Sequence, residues 1–195
     1  MIDLCRSCLH LFDSHYVSEI TSGNIVVAER NPGGAGEAIF RTDKPCVLIR
    51  PKHNIAPIWS LIRKSCADGA FFLFDKNEVR LHIVELKSIV RFDDWTKARG
   101  QIEGMFLAAL AVGRLLHVHE VAHVTCYLVL KEDRITVSKS ETASPILLKG
   151  PVGESETFGR EESWNKGIVK LPHSVTATLV KGWKNDAGKV EFSLV

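Results

Sequence analysis

The sequence predicts an α/β protein, a central mixed β-sheet flanked by helices and continued by a β-rich C-terminal extension. Three observations predict this class. Short apolar runs of strand length, bounded by turn residues, recur between residues 24 and 87. One long stretch, residues 94–116, instead repeats its apolar residues at helical spacing. After residue 132 the chain returns to short strand-like runs. The 195 residues are 45% hydrophobic and 25% charged, enough apolar material for a sizeable core. The chain therefore reads as a single domain, with its core at about 20–131 and the extension at about 132–195.

Taken in order, residues 24–29, 37–41 and 46–50 are expected strands, the first two joined by the loop Asn31-Pro32-Gly33-Gly34-Ala35-Gly36. That loop lacks the Gly-Lys-Ser/Thr ending of a phosphate cradle and serves as a hairpin connection. Ile58, Leu61, Ile62 and Cys66 recur at helical spacing, with Pro57 tolerated in the first turn, so 55–66 is expected to be a short helix. Residues 70–74 and 79–87 form a hairpin about Asp75-Lys76-Asn77-Glu78. Asp93 is the expected N-cap of the long helix 94–116, on which Trp95, Ile102, Met105, Phe106, Ala109 and Val112 recur at helical spacing. Residues 121–130 follow as an interior strand. Further strands are expected at 135–138, 146–149, 167–171, 175–181 and 190–194, with a mobile, Gly- and Glu-rich loop at 150–166.

Several function classes are excluded or weakened at this level. The most apolar segment, 104–116, is shorter than the roughly 20 residues of a membrane span and contains Arg114, so no membrane partner is expected. The start, with Asp3, Cys5 and Arg6, does not read as a signal peptide, and a cytoplasmic location is the expectation. Lys plus Arg number 25 and Asp plus Glu 23, so the net charge of +2 is not that of a polycation. The middle is different, since residues 41–100 carry 12 basic and 7 acidic groups, a concentration that fits phosphate contacts. Five cysteines, mostly in apolar runs, are expected to be reduced. Cys5 and Cys8 with His10 have the spacing of half a zinc site, but no second pair follows. His117, His119 and His123 read as helix-end and strand residues rather than a metal pocket. Trp59, Trp95, Trp164 and Trp183 are too scattered to predict a base-stacking platform.

The chemistry concentrates at the open end of the expected hairpin. A tight turn at Lys76-Asn77 sets Ala70 opposite Ile83, Phe72 opposite Leu81 and Phe74 opposite Val79, a wholly apolar face. Two steps along the same ladder, Asp68 stands opposite Glu85, with Lys87 beyond on that face. Two carboxylates set together at the end of a core face need a cation to neutralise them, either a metal or a close lysine. With the Leu86 backbone carbonyl they offer hard oxygen ligands suited to Mg²⁺ or Mn²⁺. Asp75 sits at the turn, roughly 20 Å along the strand from Glu85, and cannot share the site.

Asp68 opening one strand, Glu85-Leu86-Lys87 closing the next, and a long helix after them resemble the PD-(D/E)xK nuclease superfamily over about residues 55–130. The resemblance implies a restriction-endonuclease-like core and a metal-dependent nuclease that hydrolyses phosphodiester bonds, with DNA as the expected partner and Mg²⁺ or Mn²⁺ as cofactor. Asp68 and Glu85 would hold the metal, Lys87 would assist the attacking water, and Gln101 on the helix would position Lys87 or a phosphate. The chain departs from the family pattern in having Ala67 rather than Pro before Asp68, and no acid in the short helix, which leaves the number of metals open. A homo-oligomer is compatible with these features. The alternative is a non-catalytic nucleic-acid-binding or protein-interaction module on the same scaffold, with the carboxylates held as an ion-pair network.

Overall fold

The computed structural model describes residues 6–29, 36–52, 64–75, 78–135 and 163–193. A 3-10 turn (Arg6–Leu11) precedes β1 (Val17–Ile20), β2 (Gly23–Ala28), β3 (Glu37–Thr42), β4 (Cys46–Ile49), β5 (Gly69–Asp75), β6 (Glu78–Leu86) and β7 (Ile89–Val90). Helix α1 (Phe92–Leu115) follows, then β8 (His123–Leu130), β9 (Glu132–Asp133), β10 (Ile168–Lys170), β11 (Thr176–Trp183) and β12 (Lys189–Ser193).

The expected mixed sheet is present. It has seven strands in the order β1-β4-β5-β6-β8-β11-β10, with β8 parallel to both β6 and β11 and the remaining pairs antiparallel. Strands β5 (GAFFLFD) and β6 (EVRLHIVEL) are buried almost throughout, as befits central strands covered on both faces. Parallel β6 and β8 need a crossover, which α1 supplies. The helix buries Trp95, Ala98, Ile102, Met105, Phe106, Ala109 and Val112 against Val47, Phe72, Leu81, Ile83 and Leu128 of the sheet. It starts earlier than expected, because Arg91, not Asp93, is the N-cap, and the Asp94 carboxylate accepts the Arg91 N–H at 3.1 Å.

The other face differs from the expectation of flanking helices. A second, three-stranded sheet in the order β12-β3-β2 lies there, and its Ile25, Val27, Ala38 and Phe40 pack on Leu48, Phe71, Val84 and Tyr127. Hence α1 covers one face and β-structure the other among the described residues. Most of the helix expected at 55–66 lies outside the described residues, and 64–66 are not helical. The C-terminal part is β-rich, yet it is woven into both sheets. Strand β11 lies beside β8, and β12 pairs in parallel with β3. The strand at 146–149 and most of those at 135–138 and of the loop at 150–166 lie outside the described residues. Residues 163–166 are helical rather than loop, held because Trp164 packs edge-on against Trp95 with ring centroids 5.1 Å apart. No helix among the described residues is long and apolar enough to cross a membrane.

Candidate active site

The β5–β6 ladder has the register that the apolar pattern demands, with Ala70 opposite Ile83, Phe72 opposite Leu81, and Asp75 and Glu78 as the closing pair. The turn residues 76 and 77 themselves lie outside the described residues. At the open end the last pair is Gly69 with Val84. One step further, Asp68 and Glu85 are 3% and 0% exposed. Ala70 and Ile83 point into the core beneath α1, and alternation along β6 carries Glu85 to that same side, while Asp68 just precedes β5 and Lys87 just follows β6.

These side chains are joined from strand to helix. Asp68 Oδ2 accepts the Leu86 N–H at 2.8 Å. Lys87 Nζ stands 2.5 Å from Glu85 Oε1 and donates to Gln101 Oε1 at 2.8 Å. Gln101 Nε2 in turn donates to the Cys66 carbonyl at 3.4 Å, and the Gln101 carbonyl accepts the Ala67 N–H at 3.0 Å. The segment leading into β5 is thereby fastened to α1. Gly104 permits this approach, since a Cβ there would lie 2.1 Å from the Ser65 carbonyl oxygen.

Burial pushes the Glu85 carboxyl up from 4.5 to about 8, and the Asp68 charge adds to the rise; the Lys87 ammonium and the Asp68 backbone N–H oppose it. Both Glu85 oxygens are out of reach of solvent, and neither meets the geometry of a full hydrogen bond among the described residues. Lys87, itself about one-fifth exposed, neutralises one oxygen only in part. Ionising a buried carboxyl beside a second one is costly, and the raised Glu85 carboxyl and its contact with Lys87 both answer that cost. Two carboxylates suffice for an ion that keeps several waters. No third His, Cys, Asp or Glu joins them, since no group of three such residues is placed to hold a metal among the described residues.

The other sequence candidates fall away on placement. Asp75 is at the far end of the hairpin, bound to Lys44 at 2.7 Å. His119 contacts Arg114 at 3.2 Å, and His123 stands 4.0 Å from Glu78. Cys8 is in no disulfide among the described residues, Cys5 lies outside the described residues, and His10 Nδ1 contacts the Ser7 carbonyl. Burial pushes the thiols of Cys46, Cys66 and Cys126 up to about 12, so none is a nucleophile near neutrality. A wide cleft of about 970 Å³ opens near the opposite end of the sheet, among Arg80, Arg114 and His173. Its Arg80 is engaged by Glu78 at 2.5 Å, and the cleft holds none of the carboxylate-site residues.

Sequence reasoning missed Lys181 and set Trp183 aside as one of four scattered tryptophans, yet the topology brings both, on β11, to the same region. Their signal is the parallel pairing of β11 with β8, which places Lys181 in register with Leu128 and Leu128 in register with Glu85. Comparison with known protein families, curated proteins and solved structures finds no match to this chain.

Proposed function

We propose that the protein is a metal-dependent nuclease of the PD-(D/E)xK type, hydrolysing phosphodiester bonds, with DNA as its substrate. The observation that supports this most is the buried Asp68–Glu85 pair, partly neutralised by Lys87, at the end of an otherwise apolar face. The residues fit Mg²⁺ or Mn²⁺, with Asp68, Glu85 and the Leu86 carbonyl as its protein oxygens. A bound ion would stabilise negative charge that develops on the phosphate. Lys87, aimed by Gln101, would orient the attacking water and help remove its proton. The crossover from β6 through α1 to β8 is consistent with the restriction-endonuclease-like core that the resemblance implies.

A second reading is favoured by the 2.5 Å contact of Lys87 with Glu85, which offers partial neutralisation without a metal. On that reading the protein is a non-catalytic binding or interaction module. Incubating pure protein with single-stranded DNA, duplex DNA and RNA, each with Mg²⁺, Mn²⁺ or chelator, separates the two. Cleavage that needs the metal is expected; binding without cleavage under either metal establishes the module.

A further inference from the structure

Strands β6, β8 and β11 run parallel, and their carboxyl ends form two rows on the face that carries the carboxylates. In the first row Glu85 is in register with Leu128, and Leu128 with Lys181. In the second, the Lys87 N–H donates to the Val129 carbonyl at 2.7 Å, and Leu130 is in register with Trp183. At ladder spacing each row spans about 10 Å. The side of β11 is fixed by its neighbours. Ala177 and Leu179 enter the core beneath α1, while Gly182 turns the other way, to Phe192 of β12. Lys181 and Trp183 therefore share the face of Glu85 and Lys87.

Trp183 is 56% exposed. A single exposed apolar side chain needs no explanation by itself. This one sits at the carboxyl ends of parallel strands, where open α/β sheets receive ligands, in the row of the site lysine. Lys181 Nζ lies 3.5 Å above the buried Trp164 ring, and the Asp133 carboxylate acts on its charge. Close by, Arg91, Lys131 and Arg134 surround Glu132 and hold its carboxyl below the usual range, chiefly through the Arg134 hydrogen bond. Beside the site thus stand Lys181, Arg91, Lys131 and Arg134, interleaved with the acids Glu132 and Asp133, and the exposed indole of Trp183.

We infer that Trp183 is a stacking platform for an unpaired base of the nucleic-acid strand held at the carboxylates, with Lys181 contacting a phosphate beside it. This rests on the nuclease reading and deepens it, because it names the substrate as single-stranded or locally unpaired. The distance from Lys87 to Trp183 is covered in about three nucleotides even at the stacked rise of roughly 3.4 Å. A base inside a duplex has both faces occupied by its neighbours, so only an unpaired one can meet the indole.

The test is binding in chelator, where cleavage is silent, of labelled single-stranded DNA, single-stranded RNA and blunt duplex DNA. Trp183→Ala is expected to weaken single-strand binding roughly five- to hundredfold and duplex binding less than about twofold, the span of one lost base–aromatic stack. Trp183→Phe, which keeps a ring, should recover most of the loss. Lys181→Ala should lower the salt dependence of single-strand binding by about one counterion. Wild-type indole fluorescence should be quenched by the single strand, and the Trp183→Ala protein should lack that response. Wild-type and Trp183→Ala proteins of equal single-strand affinity, or an equal loss on duplex and single strand, overturn the inference. If the wild type still cleaves with Mg²⁺ in those cases, the nuclease reading stands alone. A wild type that neither binds nor cleaves any of the three removes both.

Discussion

Gln101 on α1 accepts a hydrogen bond from Lys87 at the end of β6, with Oε1 and Nζ 2.8 Å apart, while its amide nitrogen faces the Cys66 carbonyl at 3.4 Å. One side chain thus ties the lysine to the segment that carries Asp68. Under the proposed mechanism Gln101 positions Lys87 and does not touch the phosphate. A hydrogen bond to a charged group is worth about 1.5–3 kcal/mol, so Gln101→Ala should slow cleavage roughly 10- to 100-fold. The loss should fall on kcat with KM nearly unchanged. Gln101→Glu keeps the acceptor and should restore part of the rate, which steady-state kinetics on the three proteins will show.

Glu85 makes stability depend on pH with a defined sign. Its carboxyl is pushed up to about 8 by burial and by Asp68, so between the ordinary value of 4.5 and about 8 the folded protein holds a proton that the unfolded chain has released. Stability without divalent ions is therefore fully present below 4.5 and is lost as pH rises through that window. Metal competes with this proton. The rise in melting temperature on adding Mg²⁺ should accordingly be small near the acid end of the window and larger at its alkaline end. Glu85→Gln should flatten both trends, and melting curves across the window check it. A metal effect that ignores pH would mean that Glu85 is not a ligand.

Gly104 and Gly100 make an opposed pair on one helix. A Cβ at 104 meets the Ser65 carbonyl, whereas at 100 it meets nothing within 4 Å. Gly104→Ala should push the 64–67 segment off α1, cost about 1–3 kcal/mol as overpacking does, and lower cleavage by displacing Asp68. Gly100→Ala should instead stabilise the protein by up to about 1 kcal/mol through helix propensity and leave cleavage unchanged. Thermal melts and a cleavage assay on both variants are sufficient.

The register of the β5–β6 hairpin was legible because an antiparallel hairpin with a tight turn has only one register that keeps Ala70, Phe72, Leu81 and Ile83 in the core. That logic is local. The pairing of β11 with β8 joins residues far apart in the chain, and alternation tells which face Lys181 and Trp183 occupy but not which strand lies beside them. Strand β1 escaped notice for another reason. Its sequence VSEI buries only Val17 fully, so it carries no apolar pattern and is held by pairing with β4. Trp164 was hidden in a polar stretch, and its burial follows from a partner, Trp95, on a distant helix.

Enzyme and scaffold part most sharply at the charged groups themselves. Metal binding and water activation each supply several kcal/mol to a transition state, so Asp68→Asn, Glu85→Gln and Lys87→Ala should each reduce cleavage by roughly a thousandfold or more. The fold should survive the first two. In the Asp68→Asn variant the side-chain amide oxygen can still accept the Leu86 N–H that Asp68 Oδ2 takes at 2.8 Å. Gln in place of Glu85 removes a buried charge that burial and Asp68 both disfavour. Both variants should melt no lower than the wild type in chelator at alkaline pH. Asp75→Asn is the control. Its carboxylate pairs with Lys44 at 2.7 Å and Arg80 at 3.8 Å, three-quarters buried at the opposite end of the hairpin. Losing those partly exposed pairs should cost up to about 1 kcal/mol of stability and leave the cleavage rate as it was. Should Asp68→Asn and Glu85→Gln cut as the wild type does, the carboxylates serve only as an ion-pair network and the cleavage site is not at this pair.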